Sequence, residues 1–227
     1  MFTFIKNLYK KLTTVEERVE ENKDLKYIEE MNYQLELLNQ NDFGALHTPK
    51  LGTRDKRFEG ANTEHNNNLK NVLIVDDLED IDVVYKTSFN RVQRSYKKNV
   101  YQDFNIYITF EPNCGAVAFH FLKEHRIDYA ILDITLGYLT HLNNGQTITI
   151  DGIDLAVEIW RRYPECKICF STVHTCNQKN PTVAKYFKKF HILTGKHLDD
   201  YYIEKNDPNL HNALETFLYK EVPCTTG

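Results

Sequence analysis

The sequence predicts a doubly wound α/β fold: a five-stranded parallel sheet in the order 2-1-3-4-5, preceded by a helical arm. Three observations carry that expectation. From Leu69 onward, short apolar runs alternate five times with amphipathic stretches. The first run, Val72-Leu73-Ile74-Val75, ends in the acidic pair Asp76-Asp77. A buried parallel strand delivers its last residues to the carboxyl edge of the sheet, where open α/β folds hold ligands. The length of 227 residues suits one domain of ordinary size plus an appendage.

Taken in order, residues 1–42 read as helix. Ile5, Leu8, Leu12, Val15 and Val19 step as a heptad seam. After Glu20-Glu21-Asn22-Lys23-Asp24 the phase shifts, and Leu25, Ile28, Met31, Leu35 and Leu38 carry a second seam. A continuous helix of that length would run about 60 Å and could not bury its stripe alone. The arm therefore calls for a partner helix, a second copy in a coiled coil, a folded-back hairpin, or its own domain. Residues 43–68 form a linker punctuated by Gly44, Pro49, Gly52, Gly60 and Asn66-Asn67-Asn68. Residues 69–222 make the α/β domain, with strands at 71–76, 105–110, 128–133, 167–172 and 200–204. The helices between and after them fall near 78–98, 113–125, 151–163, 181–191 and 208–220.

Composition narrows the function. Net charge is −4 with 26% charged residues, so no basic excess argues for nucleic acid or anionic lipid. Five cysteines, an odd number, read as reduced thiols of a cytoplasmic protein. No apolar stretch approaches a spanning helix, and Met1-Phe2-Thr3-Phe4-Ile5-Lys6 lacks the pattern of a signal peptide.

The chemistry gathers at strand ends. Asp133 closes the third strand, Ser171 and Thr172 close the fourth, and Lys205 closes the fifth. With parallel strands, all of them share a rim with Asp76 and Asp77. Two carboxylates about 4 Å apart repel by roughly 4 kcal/mol at an effective dielectric near 20, so something positive must offset them. Mg2+ takes oxygen ligands from one or two carboxylates plus phosphate. A third carboxylate beside it can attack a phosphoryl group, while an ammonium and a hydroxyl bind phosphoryl oxygens. Ser171 and Thr172 compete for the hydroxyl role, since a one-residue shift exchanges them.

These residues resemble the receiver domain of bacterial two-component response regulators over 70–222. The resemblance is carried by Val75-Asp76-Asp77, Ile131-Leu132-Asp133, the Asp151-Gly152 step, Thr172 and Lys205. It implies a flavodoxin-like fold and phosphoryl transfer from a histidine kinase or phosphotransfer protein onto Asp133. It further implies Mg2+ among Asp76, Asp77, Asp133 and the main-chain carbonyl of Thr135, with Thr172 and Lys205 gripping the phosphoryl group. Tyr202, three residues before the lysine, occupies the place of the aromatic that repacks on activation.

The chain also departs from that family. Residues 137–150 are an insertion, and Asn144-Gly145 between Tyr138/Leu139/His141 and Thr147/Ile148/Ile150 reads as a β-hairpin beside the crevice. Asn206 stands where the family usually has proline. The segment 173–200, with Pro181, Gly195 and a basic patch of Lys185, Lys188 and Lys189, is longer than usual. Cys166 and Cys169 with His174 and Cys176 have zinc-like spacing, but two cysteines three apart on a strand point to opposite faces. Asp133-Ile134-Thr135 lacks the second aspartate of the haloacid-dehalogenase phosphatases. His141, His174 and His191 read as surface residues. Only 223–227 follow the last helix, so the expectation is a stand-alone phosphoacceptor or phosphate sink acting through protein contacts. The alternative is a receiver-like scaffold that binds partners through its arm without phosphotransfer.

Overall fold

The computed structural model of the chain describes residues 23–34, 36–37, 50–51, 68–78, 80–110, 114–136, 139–141, 147–173 and 181–220. The chain divides into two compact units, 1–41 and 42–227. In the first unit, residues 23–34 form helix α1, and 36–37 are helical too, so the helix already covers Lys23 and Asp24 of the expected break. Of the second seam, Met31 is buried and Leu25 is exposed. The first seam and the side chains of Leu35 and Leu38 lie outside the described residues.

The second unit runs β1 (Lys50–Leu51), β2 (Lys70–Val75), α2 (Ile81–Tyr96), α3 (Val100–Asp103), β3 (Phe104–Thr109), α4 (Cys114–Glu124) and β4 (Tyr129–Leu132). There follow β5 (Leu139–His141), β6 (Thr147–Thr149), α5 (Gly152–Arg162), β7 (Lys167–Thr172), α6 (Pro181–Thr194), a 3-10 turn (Leu198–Tyr201), β8 (Tyr202–Glu204) and α7 (Leu210–Tyr219). The main sheet has the order β1-β3-β2-β4-β7-β8. Its five strands from β2 onward are parallel and stand in the expected 2-1-3-4-5 order. β1 was not foreseen: part of the expected linker pairs antiparallel with the edge of β3, Lys50 with Ile108 and Leu51 with Tyr107. Two paired residues leave no periodicity to read. The fifth strand also starts two residues later than expected, because 198–201 wind into the 3-10 turn.

β2 is the central strand, and its last four residues are fully buried, as a strand covered on both faces requires. α2 and α7 pack together over Val72, Ile74, Ile106, Ile108, Ile131 and Cys169. α4 and α5 pack against one another and against β2, β3 and β4. α2 stops at Lys97, whose backbone is left-handed at φ 54°. α5 starts from a reciprocal cap: Asp151 accepts from the Ile153 and Asp154 amides, and Asp154 accepts from the Asp151 amide.

The insertion folds as expected into a two-stranded antiparallel sheet, with Leu139 opposite Thr149 and His141 opposite Thr147. Its turn, Asn144-Gly145, lies outside the described residues. Ile148 and Ile150 are buried, and Ile150 sits so close to Gly115 at the start of α4 that an added Cβ there would meet it at 3.2 Å. The roots of the insertion are pinned: the Gly152 amide donates to the Ile134 carbonyl at 3.1 Å. Any side chain at Gly152 would place a Cβ 2.0 Å from the Asp133 carbonyl oxygen, so the glycine is what lets α5 start against the strand end.

Candidate functional site

The parallel ladder brings the predicted residues together at one rim. The Asp76 amide donates to the Thr109 carbonyl at 3.0 Å, the Asp133 amide to Val75 at 2.8 Å, and the Lys205 amide to Thr172 at 2.9 Å. Each residue thus extends a ladder by one step, which fixes its side chain over the carboxyl edge of the sheet. The ligand oxygens of Asp76, Asp77 and Asp133 lie within 4.8 Å of one another. Lys205 Nζ bridges two of them, at 2.5 Å from Asp76 Oδ2 and 2.7 Å from Asp133 Oδ2. The remaining oxygens accept from the turn that follows: Asp76 Oδ1 from the Leu78 amide at 3.1 Å, Asp133 Oδ1 from the Thr135 amide at 3.3 Å.

One ammonium against three carboxylates leaves the crevice short of positive charge. The effect shows in Asp76, whose carboxyl is raised from 3.8 to about 6, mainly by burial and further by Asp133, against the opposing pull of Lys205. The Cys114 thiol at the start of α4 is pushed up to about 12 by burial, with Asp77 and Asp76 adding to it, and is neutral at physiological pH. An all-oxygen cluster with Asp76 and Asp133 buried and Asp77 half-buried fits a hard divalent cation.

Thr172 ends β7 and is buried, and Tyr202 opens β8, half-buried and in register with Phe170. Thr135 follows Asp133 in the turn, with its hydroxyl oxygen buried and without a hydrogen-bond partner among the described residues. Ser171 is also fully buried, and by register its side chain lies on the face of the sheet that carries Asp76 and Asp133, whereas Thr172, one residue on, takes the opposite face; the ladder therefore favours Ser171 over the expected Thr172 as the hydroxyl beside the acids. The basic patch expected at 185–189 needs correcting. Lys189 is not part of a solvated patch; its ammonium is drawn into ion pairs of 2.6 Å with both Asp151 and Asp154. Sequence reading missed this cluster because the lysine reaches its acids from another helix, 38 residues away. Cys166 and Cys169 are buried thiols, while His174 and Cys176 lie outside the described residues. Exposed His191 stacks on His197 with ring centroids 5.3 Å apart.

The fold and its rim define a doubly wound α/β protein with an acidic, cation-ready carboxyl edge. Among solved structures, the chain is similar to response-regulator receivers over part of its length. A response regulator from Thermotoga maritima is 15% identical, over 66% of this chain and 97% of its own, with a TM-score of 0.39. A CheY-like receiver domain protein from Methanospirillum hungatei is 16% identical, over 66% and 94%, with a TM-score of 0.39. A response regulator from Burkholderia pseudomallei, solved with a phosphorylated aspartic acid, calcium and citrate, is 16% identical over 66% and 67%, with a TM-score of 0.38. No family model and no curated protein matches the chain.

Proposed function

We propose that this chain is a cytoplasmic receiver that accepts a phosphoryl group on Asp133 with the help of Mg2+. The observation that carries the reading is the crevice itself: three carboxylates within 4.8 Å, with a lysine ammonium 2.7 Å from the one that would react. In the proposed step, a carboxylate oxygen of Asp133 attacks the phosphorus of a phosphohistidine on a kinase or phosphotransfer protein. The P–N bond breaks, its electron pair returns to the imidazole, and an acyl phosphate forms on Asp133. Asp76, Asp77, Asp133 and the Thr135 carbonyl would hold Mg2+, which when bound neutralises charge on the phosphoryl oxygens. Lys205 moves from the carboxylates to a phosphoryl oxygen, and Ser171, on the face of the sheet that carries Asp133, donates its hydroxyl proton to another.

Phosphorylation replaces the single carboxylate charge of Asp133 with a phosphoryl dianion, a net gain of about one negative charge, which then biases the surface around Tyr202, and the signal leaves through protein contacts. The chain turns over no external substrate; it catalyses at most its own phosphorylation and dephosphorylation. The helical arm expected from the sequence, with Ile28, Met31, Leu35 and Leu38 in its second seam, would serve a second copy or a partner helix.

Mass spectrometry after incubation with Mg2+ and acetyl phosphate tests the proposal. A phosphoryl mass gain in the wild type that Asp133→Asn abolishes supports it. A wild-type chain that never gains mass, with either acetyl phosphate or a kinase as donor, leaves the scaffold reading instead.

A further inference from the structure

The lysine tie at the start of α5 engages every carboxylate oxygen of its two acids. Asp151 Oδ1 accepts from the Ile153 and Asp154 amides at 2.9 and 3.0 Å, and Asp154 Oδ2 accepts from the Asp151 amide at 3.1 Å. The two oxygens left over, Asp151 Oδ2 and Asp154 Oδ1, each meet Lys189 Nζ at 2.6 Å. The side chains are shielded from water, at 13% exposure for Lys189, 14% for Asp151 and 9% for Asp154. A reciprocal cap commonly pairs a hydroxyl residue with Glu or Gln, so at most one member is charged. Here both members are acids, which repel one another across the first turn of the helix unless a cation stands between them. Lys189, reaching over from α6, is that cation and keeps the cap closed.

The cap lies one step from the crevice. Gly152, the residue that follows Asp151, donates its amide to the Ile134 carbonyl at 3.1 Å, and no room for a Cβ separates it from the Asp133 carbonyl. The start of α5 therefore bears on the backbone of Asp133 and Ile134, immediately before Thr135. In the receiver reading above, on which this inference rests, the main-chain carbonyl of Thr135 is a ligand of Mg2+. Such a ligand has no side-chain rotation with which to re-aim itself. Its direction follows the backbone that braces the turn, and metal affinity depends on that outer support.

We propose that Lys189 is a positioning residue for the cation site, acting from α6 through the Asp151–Asp154 cap and Gly152 on the turn of Asp133 to Thr135. It touches neither the cation nor a phosphoryl group. The competing account is that the lysine only fastens α6 to α5.

Calorimetric titration of the full chain with Mg2+ alone separates the two accounts, and the sign decides. Lys189→Met removes a positive charge from the neighbourhood of the crevice, which by its field alone tightens cation binding. Loss of positioning acts the other way, and the expected result is Mg2+ binding about tenfold weaker. Lys189→Arg keeps a cation between the two acids and is expected to restore the affinity. Should Lys189→Met fail to fold, Lys189→Gln, whose amide can still donate to one acid, serves in its place and is also expected to bind more weakly. Unchanged or tighter binding in the neutral variant overturns the inference alone, as does a loss in Lys189→Arg equal to that in Lys189→Met. A wild-type chain that binds no Mg2+ overturns the receiver reading beneath it.

Discussion

Lys205 and Lys189 each bridge two carboxylates, yet the two clusters are built for different ends. Lys205 meets Asp76 and Asp133 at 2.5 and 2.7 Å, and Lys189 meets Asp151 and Asp154 at 2.6 Å each. In both, burial and a neighbouring acid raise one carboxyl, Asp76 or Asp154, to about 6. The surroundings then diverge. Asp151 and Asp154 cap α5, with amides of Ile153, Asp154 and Asp151 donating at 2.9–3.1 Å, and they lie at the positive end of the helix dipole. Asp76 and Asp133 each receive one turn amide, and a third acid, Asp77, stands beside them. The Lys189 cluster carries one formal negative charge, which the cap amides and the helix N-terminus offset. The Lys205 cluster, with its third acid, carries two, a surplus that a further cation would offset. The same three-residue arrangement is a structural tie in one place and, in the function proposed above, a cation site in the other, and the number of backbone donors tells them apart.

Removing each lysine sharpens that contrast, and the larger effect belongs to the crevice. Lys205→Ala leaves two nearly fully buried carboxylates uncompensated, with an expected loss of about 3 kcal/mol in metal-free urea unfolding. Mg2+ supplies the missing charge, so saturating Mg2+ is expected to recover most of the loss. A loss that Mg2+ leaves untouched breaks the distinction between the clusters. Lys189→Met is expected to cost less, about 2 kcal/mol, because the cap amides still hold Asp151 and Asp154. Mg2+ is expected to return nothing to this variant beyond what it gives the wild type. Equal rescue of the two variants would show that the N-cap acids also bind the ion.

The same contrast explains what could be read from the sequence. Asp76, Asp77, Asp133 and Lys205 were legible because buried parallel strands print themselves as unbroken apolar runs, and a run's end locates the rim. The hairpin was legible from Asn144-Gly145 set between alternating residues. Strand order followed from the sequence of β/α units. Lys189 was not legible: its neighbours Lys185 and Lys188 suggested a solvated patch, and nothing local marks a lysine that reaches a distant helix cap. β1 escaped because its two residues gain their conformation from the edge of β3 rather than from any pattern of their own. Ser171 entered only as a rival to Thr172. The ladder gives the two different faces and puts Ser171, not Thr172, on the face of the acids, a distinction that a one-residue uncertainty in strand register hides from the sequence.

The smallest expected effect is in pH. A carboxyl raised from 3.8 to about 6 binds more protons folded than unfolded across that interval. Stability therefore rises as pH falls from 7 toward 4, the reverse of a salt-bridged acid with a lowered pKa. Asp76 and Asp154 are each expected to add about 1 kcal/mol to metal-free stability between pH 7 and pH 5. Mg2+ separates them, since a bound cation competes with the proton on Asp76 and has no purchase on Asp154. Melts with saturating Mg2+ should lose the Asp76 share of the slope and keep the Asp154 share, while Asp154→Asn should do the reverse. Mg2+ affinity itself should fall below about pH 6, where protonation of Asp76 takes a ligand away. A slope indifferent to Mg2+ in the wild type would mean that the acids of the crevice do not bind the ion as a set.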